Sequence, residues 1–171
     1  MSRRHPAVVN LTELEPNTVE KGTKFGYTAK RLGRETGATR IGCTHYVVPP
    51  GRTAYPLHFH SLNDEAIFVI AGAGTLRIGD ERVAVRAGDW LTLATGPSNA
   101  HQLINTGTAP LEYLCMSTLG SAEVVGYPDS KKLAATSGPS YERAIKGELW
   151  VRMIVREGTS VDYYDGEDTG D

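Results

Sequence analysis

The amino-acid sequence predicts an all-β chain folded as a sandwich or small barrel, and three observations carry that expectation. Between residues 40 and 120, short runs rich in Val, Ile, Leu and Thr recur at regular spacing. Glycines punctuate the junctions between them. Helix signals are weak throughout.

The elements follow in chain order. KFGYTAKRLGRETGATRIG, from Lys24 to Gly42, reads as strands joined by glycine turns that extend the sheet. RIGCTHYVVPPG, EAIFVIAGAG, HQLINTG and LEYLCMSTLG each read as a strand closed by a turn. TLRIGDERVAV reads as a hairpin with GDE at its tip, and GDWLTLATG supplies the next strand. Short helices are expected near SKKLAAT and PSYERAI, and one or two late strands in WVRMIVREGTSVDYYDGE. With 171 residues, 40% apolar and 22% charged, the chain suits one well-buried core. The expected division is N-terminal strands over 8–40, a core barrel over about 40–120, a C-terminal extension over 121–161 and an acidic tail over 162–171, all in a single domain 1–171.

Net charge is −2, yet the tail from Asp162 to Asp171 holds five acids and no base, leaving 18 bases against 15 acids elsewhere. That tail is expected to be a solvated end. No basic patch with interleaved aromatics is present, so no nucleic-acid partner is expected. MSRRHPAVVNLTELEP lacks the apolar stretch of a secretory leader, and no segment offers the roughly 20 apolar residues of a membrane span. A soluble, cytoplasmic protein without a membrane partner is expected. Cys43 and Cys115 have no framework or CxxC spacing and sit in strand-like context, which reads as two reduced core thiols.

The chemistry concentrates in YPLHFHSLNDEAIFVIAG, from Tyr55 to Gly72. Side chains alternate along a strand, so His58 and His60 share a face. Glu65 heads the next apolar strand, where an unpaired carboxylate is costly to bury, and a cation would be its partner. His101, opening a later strand, can approach the pair from across a barrel. Three imidazoles and one carboxylate suit one first-row divalent ion per chain, with positions left open for water or substrate. Iron, manganese, nickel, zinc and copper all fit this set. His5 reads as solvated and His45 as a core histidine, since neither has companion spacing. Leu103, Ile67 and Val69 share faces with His101 and Glu65, so an apolar lining is expected. Tyr46, Tyr55 and Arg52 are the candidate substrate-binding residues. Arg77 reads as a solvated hairpin residue, Asn105 as a turn residue, and Trp90 and Trp150 as core or interface aromatics. No residue stands out as a separate catalytic general base.

These residues resemble the two motifs of the cupin superfamily. Gly51, His58, His60, Glu65 and Gly72 follow the first, with one extra residue before His58. Gly88, Gly96, His101 and Asn105 follow the second, with Ala94 where proline is usual and two extra residues before His101. FGYTAKRLG and GYPDS are similar to segments of small single-domain bacterial cupins, some of which carry the name sugar-phosphate isomerase. The resemblance implies a jelly-roll barrel (double-stranded β-helix) of two antiparallel sheets, a metal held by His58, His60, Glu65 and His101, and frequently a homodimer. The N-terminal strands could pair across its two-fold axis. Because cupins host many chemistries, function rests on the site. A divalent ion with three neutral imidazoles and one carboxylate keeps a net charge of about +1 and favours anionic oxygen ligands. The leading expectation is a metal-dependent enzyme, of dioxygenase, decarboxylase or isomerase type, chelating a small carboxylate or carbonyl metabolite. The alternatives are a non-catalytic ligand-binding or sensing cupin and a sugar-phosphate isomerase or epimerase.

Overall fold

Alternating apolar residues set the inner face of the larger sheet. The computed structural model describes residues 5–140, 143 and 146–170. At its centre lies β10 (Leu111–Thr118), paired antiparallel with β3 (Ile41–Val48) on one side and β5 (Glu65–Ala71) on the other. β1 (Asn17–Lys21) and β2 (Phe25–Lys30) extend the sheet beyond β3, and β8 (Trp90–Leu93) closes it beyond β5. Tyr113 stands opposite both Tyr46 and Val69, so every second residue of β3, β5 and β10 faces one interior.

The facing wall has two parts. β6 (Ala73–Ile78) lies between β7 (Glu81–Arg86) and β9 (His101–Ile104). The other part runs β4 (Phe59–His60), β11 (Ala122–Tyr127), β12 (Lys132–Ser137), β13 (Val151–Arg156). His58 and His101 join the parts: each backbone N–H donates to the other's carbonyl, at 3.1 and 2.8 Å. Val48, Ile67, Val69, Leu93 and Leu111 from the first sheet meet Leu76, Val85 and Leu103 from the second in one core. Withdrawing each such side chain from water stabilises the fold by about 1.5–3 kcal/mol. The result is an antiparallel jelly roll, as expected from the sequence.

Several local expectations are corrected. SKKLAAT is not helical: a single 3-10 turn, Pro128–Ser130, leads through left-handed Lys131 into strand β12, whose pairing with β11 and β13 overrides the helix preference of Leu and Ala. Within the stretch read as glycine-linked strands lies a one-turn helix, α1 (Leu32–Glu35). Gly33 lets α1 sit against β3, because a Cβ there would lie 3.0 Å from the Cys43 nitrogen and 3.1 Å from the Ile41 oxygen. Trp90 and Trp150, expected in a core or an interface, are 58% and 73% exposed, so the core alternative falls. The helix expected over PSYERAI falls largely outside the described residues. Among the late residues one strand forms, β13, at the edge of its sheet with all six residues exposed. No helix among the described residues is long and apolar enough to cross a membrane.

Candidate metal centre

His58, His60 and His101 converge on Glu65 because three separate strand positions aim inward together. His58 and His60 flank Phe59, which points the other way and lies on the backbone of Gly126, where any Cβ would overlap the ring. The His58–His101 bridge sets their rings 4.6 Å apart between centroids, and the His58 and His60 rings are 5.1 Å apart. Glu65, first residue of β5, reaches across: its Oε2 lies 3.2 Å from His101 Nε2, 3.5 Å from His60 Nε2 and 4.0 Å from His58 Nε2. One ligand atom from each of the four residues lies within 4.8 Å of the other three.

The outer nitrogens decide which atoms are free. His58 Nδ1 lies 2.9 Å from the Pro56 carbonyl and His101 Nδ1 lies 2.9 Å from that of Asn99. A carbonyl only accepts, so each Nδ1 carries a proton and donates it; in the neutral ring this leaves Nε2 as the lone pair turned inward. His60 Nδ1 faces Glu123 Oε2 at 3.5 Å. The Glu123 carboxylate itself accepts backbone N–H groups of Ser61, Leu62, Asn63 and Val124. It thereby fixes the turn that carries His60 toward Glu65.

The electrostatics follow from burial and neighbours. Burial, followed by the nearby His101, pulls the His58 pKa down to about 4, so this ring is neutral at pH 7. Burial also opposes a charge on His60, but Glu65 and Glu123 outweigh it and raise that pKa. For Glu65, burial disfavours the carboxylate, yet contacts from His101 and His60 more than compensate and hold it well below the usual range. The site is therefore built around one fixed negative charge.

A cavity of about 240 Å³ opens onto the four residues. Ile67 and Leu103 contribute the expected apolar lining, while Val69 lies fully buried deeper in the core. Tyr46, Tyr55, Tyr113 and Tyr127 also reach it, adding rings and hydroxyls to a mostly apolar lining. Tyr46 and Tyr55 share a hydrogen bond of 2.9 Å, the Tyr55 hydroxyl donates to that of Tyr27 at 3.2 Å, and burial raises the pKa of both Tyr46 and Tyr55. Arg52 lies outside this lining and reaches Glu20 at 3.3 Å. Arg77 is engaged by both oxygens of Asp129. Asn105, fully buried, donates to the carbonyls of Val48 and Ala109 and is structural. His45 is buried against Glu112, and both cysteines are free thiols, with Cys115 Sγ 3.6 Å from Glu65.

The sequence reading missed Tyr113, Tyr127, Gln102, Cys115 and Glu123. Period-2 parity on β10 and β11 places Tyr113 with Cys115 and Glu123 with Tyr127 on inward faces, but only once the strand pairing is known.

Residues 44–117 match the family model described as the Cupin domain. The strands that carry the site are thus similar to a cupin domain, over a little less than half of the chain. Solved structures agree with the fold. A structure from Silicibacter pomeroyi, described as a sugar phosphate isomerase from a cupin superfamily, superposes with a TM-score of 0.74 at 21% identity, covering 92% of this chain and 98% of that one. A structure from Acidithiobacillus ferrooxidans, named provisionally as a sugar phosphate isomerase, gives 0.76 at 20% identity over 92% and 96%. A predicted oxalate decarboxylase from Thermotoga maritima gives 0.58 at 24% identity over 65% and 97%. At these identities the likeness speaks for the fold alone. An uncharacterised protein of Methanocaldococcus jannaschii is 32% identical over 71 residues, 42% of this chain, and the match spans about half (54%) of that relative.

Proposed function

We propose that this cupin is a metal-dependent enzyme acting on a small carboxylate or carbonyl metabolite, with His58, His60, Glu65 and His101 as the ligands of one divalent ion. The observation that carries this reading is the inward aim of the His58 and His101 Nε2 atoms toward the Glu65 carboxylate, with their Nδ1 atoms tied to backbone carbonyls. Such backbone partners orient histidine ligands in metal sites. When bound, the ion supplies Lewis acidity toward a carbonyl or enolate, or redox chemistry if it is iron.

The chain's own residues supply the rest. Ile67 and Leu103 exclude water beside the cluster. The linked hydroxyls are kept protonated by burial, and since Tyr55 donates to Tyr27 and Tyr46 to Tyr55, a substrate oxygen gains a donor here by taking the place of one of these partners. The test is to strip the protein with chelator, reload it with one divalent ion at a time, and assay small carboxylates and carbonyl compounds. Turnover that returns with a metal and vanishes in Glu65→Ala supports the enzyme. Stoichiometric metal that raises Tm and binds small acids without turnover contradicts it and leaves a ligand-binding module.

A further inference from the structure

A second cleft, of about 180 Å³, adjoins the first, with Tyr46, Glu65 and Cys115 lining both. Its outer rim holds Arg31, which caps the start of the one-turn helix α1, and Arg34 within that helix. Both arginines are exposed, and neither side chain has an acidic or carbonyl partner among the described residues. The contrast with Arg52, Arg77 and Arg143 is direct, since those engage Glu20, Asp129 and Glu148. Among the described residues, two hydroxyl residues of the wall, Thr44 and Ser117, also have no side-chain hydrogen bond.

The helix is held in place against the barrel. Gly33 packs on the β3 backbone at Ile41 and Cys43, so Arg31 and Arg34 are presented from a fixed element beside the cleft. Two guanidiniums over hydroxyl donors form a recognised kind of oxyanion cradle, in which each fork can hold two oxygens. The acidic group on the wall, Glu65, is turned toward His60 and His101, and its charge is committed there.

We infer that Arg31 and Arg34 form an oxyanion subsite, so that the substrate has two oxygen-rich ends: one reaching the histidine cluster, the other a phosphate or carboxylate held at the rim of the second cleft. The inference deepens the proposed function and rests on it for the first end only. The second end stands on the arginines, whether or not the cluster holds metal.

The experiment is calorimetric titration of the purified protein with inorganic phosphate and, separately, with acetate, its metal content measured in the same samples. The parent is compared with Arg31→Ala/Arg34→Ala and with Arg31→Lys/Arg34→Lys, each checked for folding by its thermal transition. Removing both forks is expected to weaken binding by about tenfold or more, with the lysine pair between the two and metal content unchanged. Preference for phosphate identifies a phosphorylated substrate, and preference for acetate a second carboxylate; either supports the subsite. Equal affinity in parent and alanine variant overturns it, because the anion is then held at the cluster. Failure of both anions to bind the parent also overturns it. Arginine-dependent binding in protein that takes up no metal supports the subsite and separately contradicts the metalloenzyme reading.

Discussion

Two places in this barrel set histidine against glutamate, and they are built differently. On β3 and β10, His45 and Glu112 meet one to one at 2.6 Å, with the imidazole buried. In that pair one imidazole nitrogen meets one carboxylate oxygen, and neither residue lines the cavity beside Glu65. Around Glu65, three imidazoles share one carboxylate, two of them with Nδ1 already donated elsewhere, and a cavity opens beside them. In the neutral rings both Nε2 atoms are acceptors facing the Glu65 carboxylate, another acceptor, an arrangement that a cation resolves. A satisfied pair stabilises a fold, whereas convergent lone pairs signal a ligand.

The largest effect is expected at Glu65. Glu65→Ala should abolish metal retention through dialysis, while Glu112→Ala should leave metal content unchanged and cost about 1–2 kcal/mol in urea denaturation. Equal metal loss in both variants would erase the distinction between the two sites. Next comes Glu123, whose carboxylate holds the turn before Glu65 and faces His60. Glu123→Ala should weaken metal affinity by about 10–100-fold, with Glu123→Gln restoring part of it, as read by competition with a chromophoric chelator. Unaltered affinity in Glu123→Ala would show that His60 needs no outer partner.

Much of the centre was legible in the sequence. His58 and His60 are two apart in a strand, and a lone glutamate heading EAIFVIAG asks for a partner, so the cluster of candidate ligands could be proposed before any fold was known. Glu123 could not, because it reaches His60 through the non-local pairing of β4 with β11, which leaves no local spacing. Arg31 and Arg34 were hidden for a different reason. Their one-turn helix is too short to show a helical period, and its position depends on Gly33 meeting β3. KLAAT misled because Leu and Ala favour helix, while the neighbours β11 and β13 made it a strand.

Two smaller effects sharpen the contrast between site and scaffold. Gly126→Ala should displace the Phe59 ring and with it the strand carrying His60, lowering stability by about 1–3 kcal/mol and broadening the metal-bound spectrum. A stability loss without any change at the metal would mean that β4 is positioned independently of this contact. The exposed Arg77–Asp129 pair gives the smallest effect. Arg77 lowers the Asp129 pKa, so its contribution is complete above the ordinary aspartate value of about 4 and is lost as pH falls through the lowered one. Solvent screening limits it to about 0.2–1 kcal/mol, measurable as the difference between parent and Asp129→Asn across that window.

Elemental analysis of the purified chain, run beside a His58→Ala/His101→Ala variant that shares its fold by circular dichroism, tests the metal centre most directly. The expected result is about one divalent transition-metal ion per chain in the parent and none in the variant. A parent that takes up no metal even after reconstitution, or a variant that keeps as much as the parent, would contradict it.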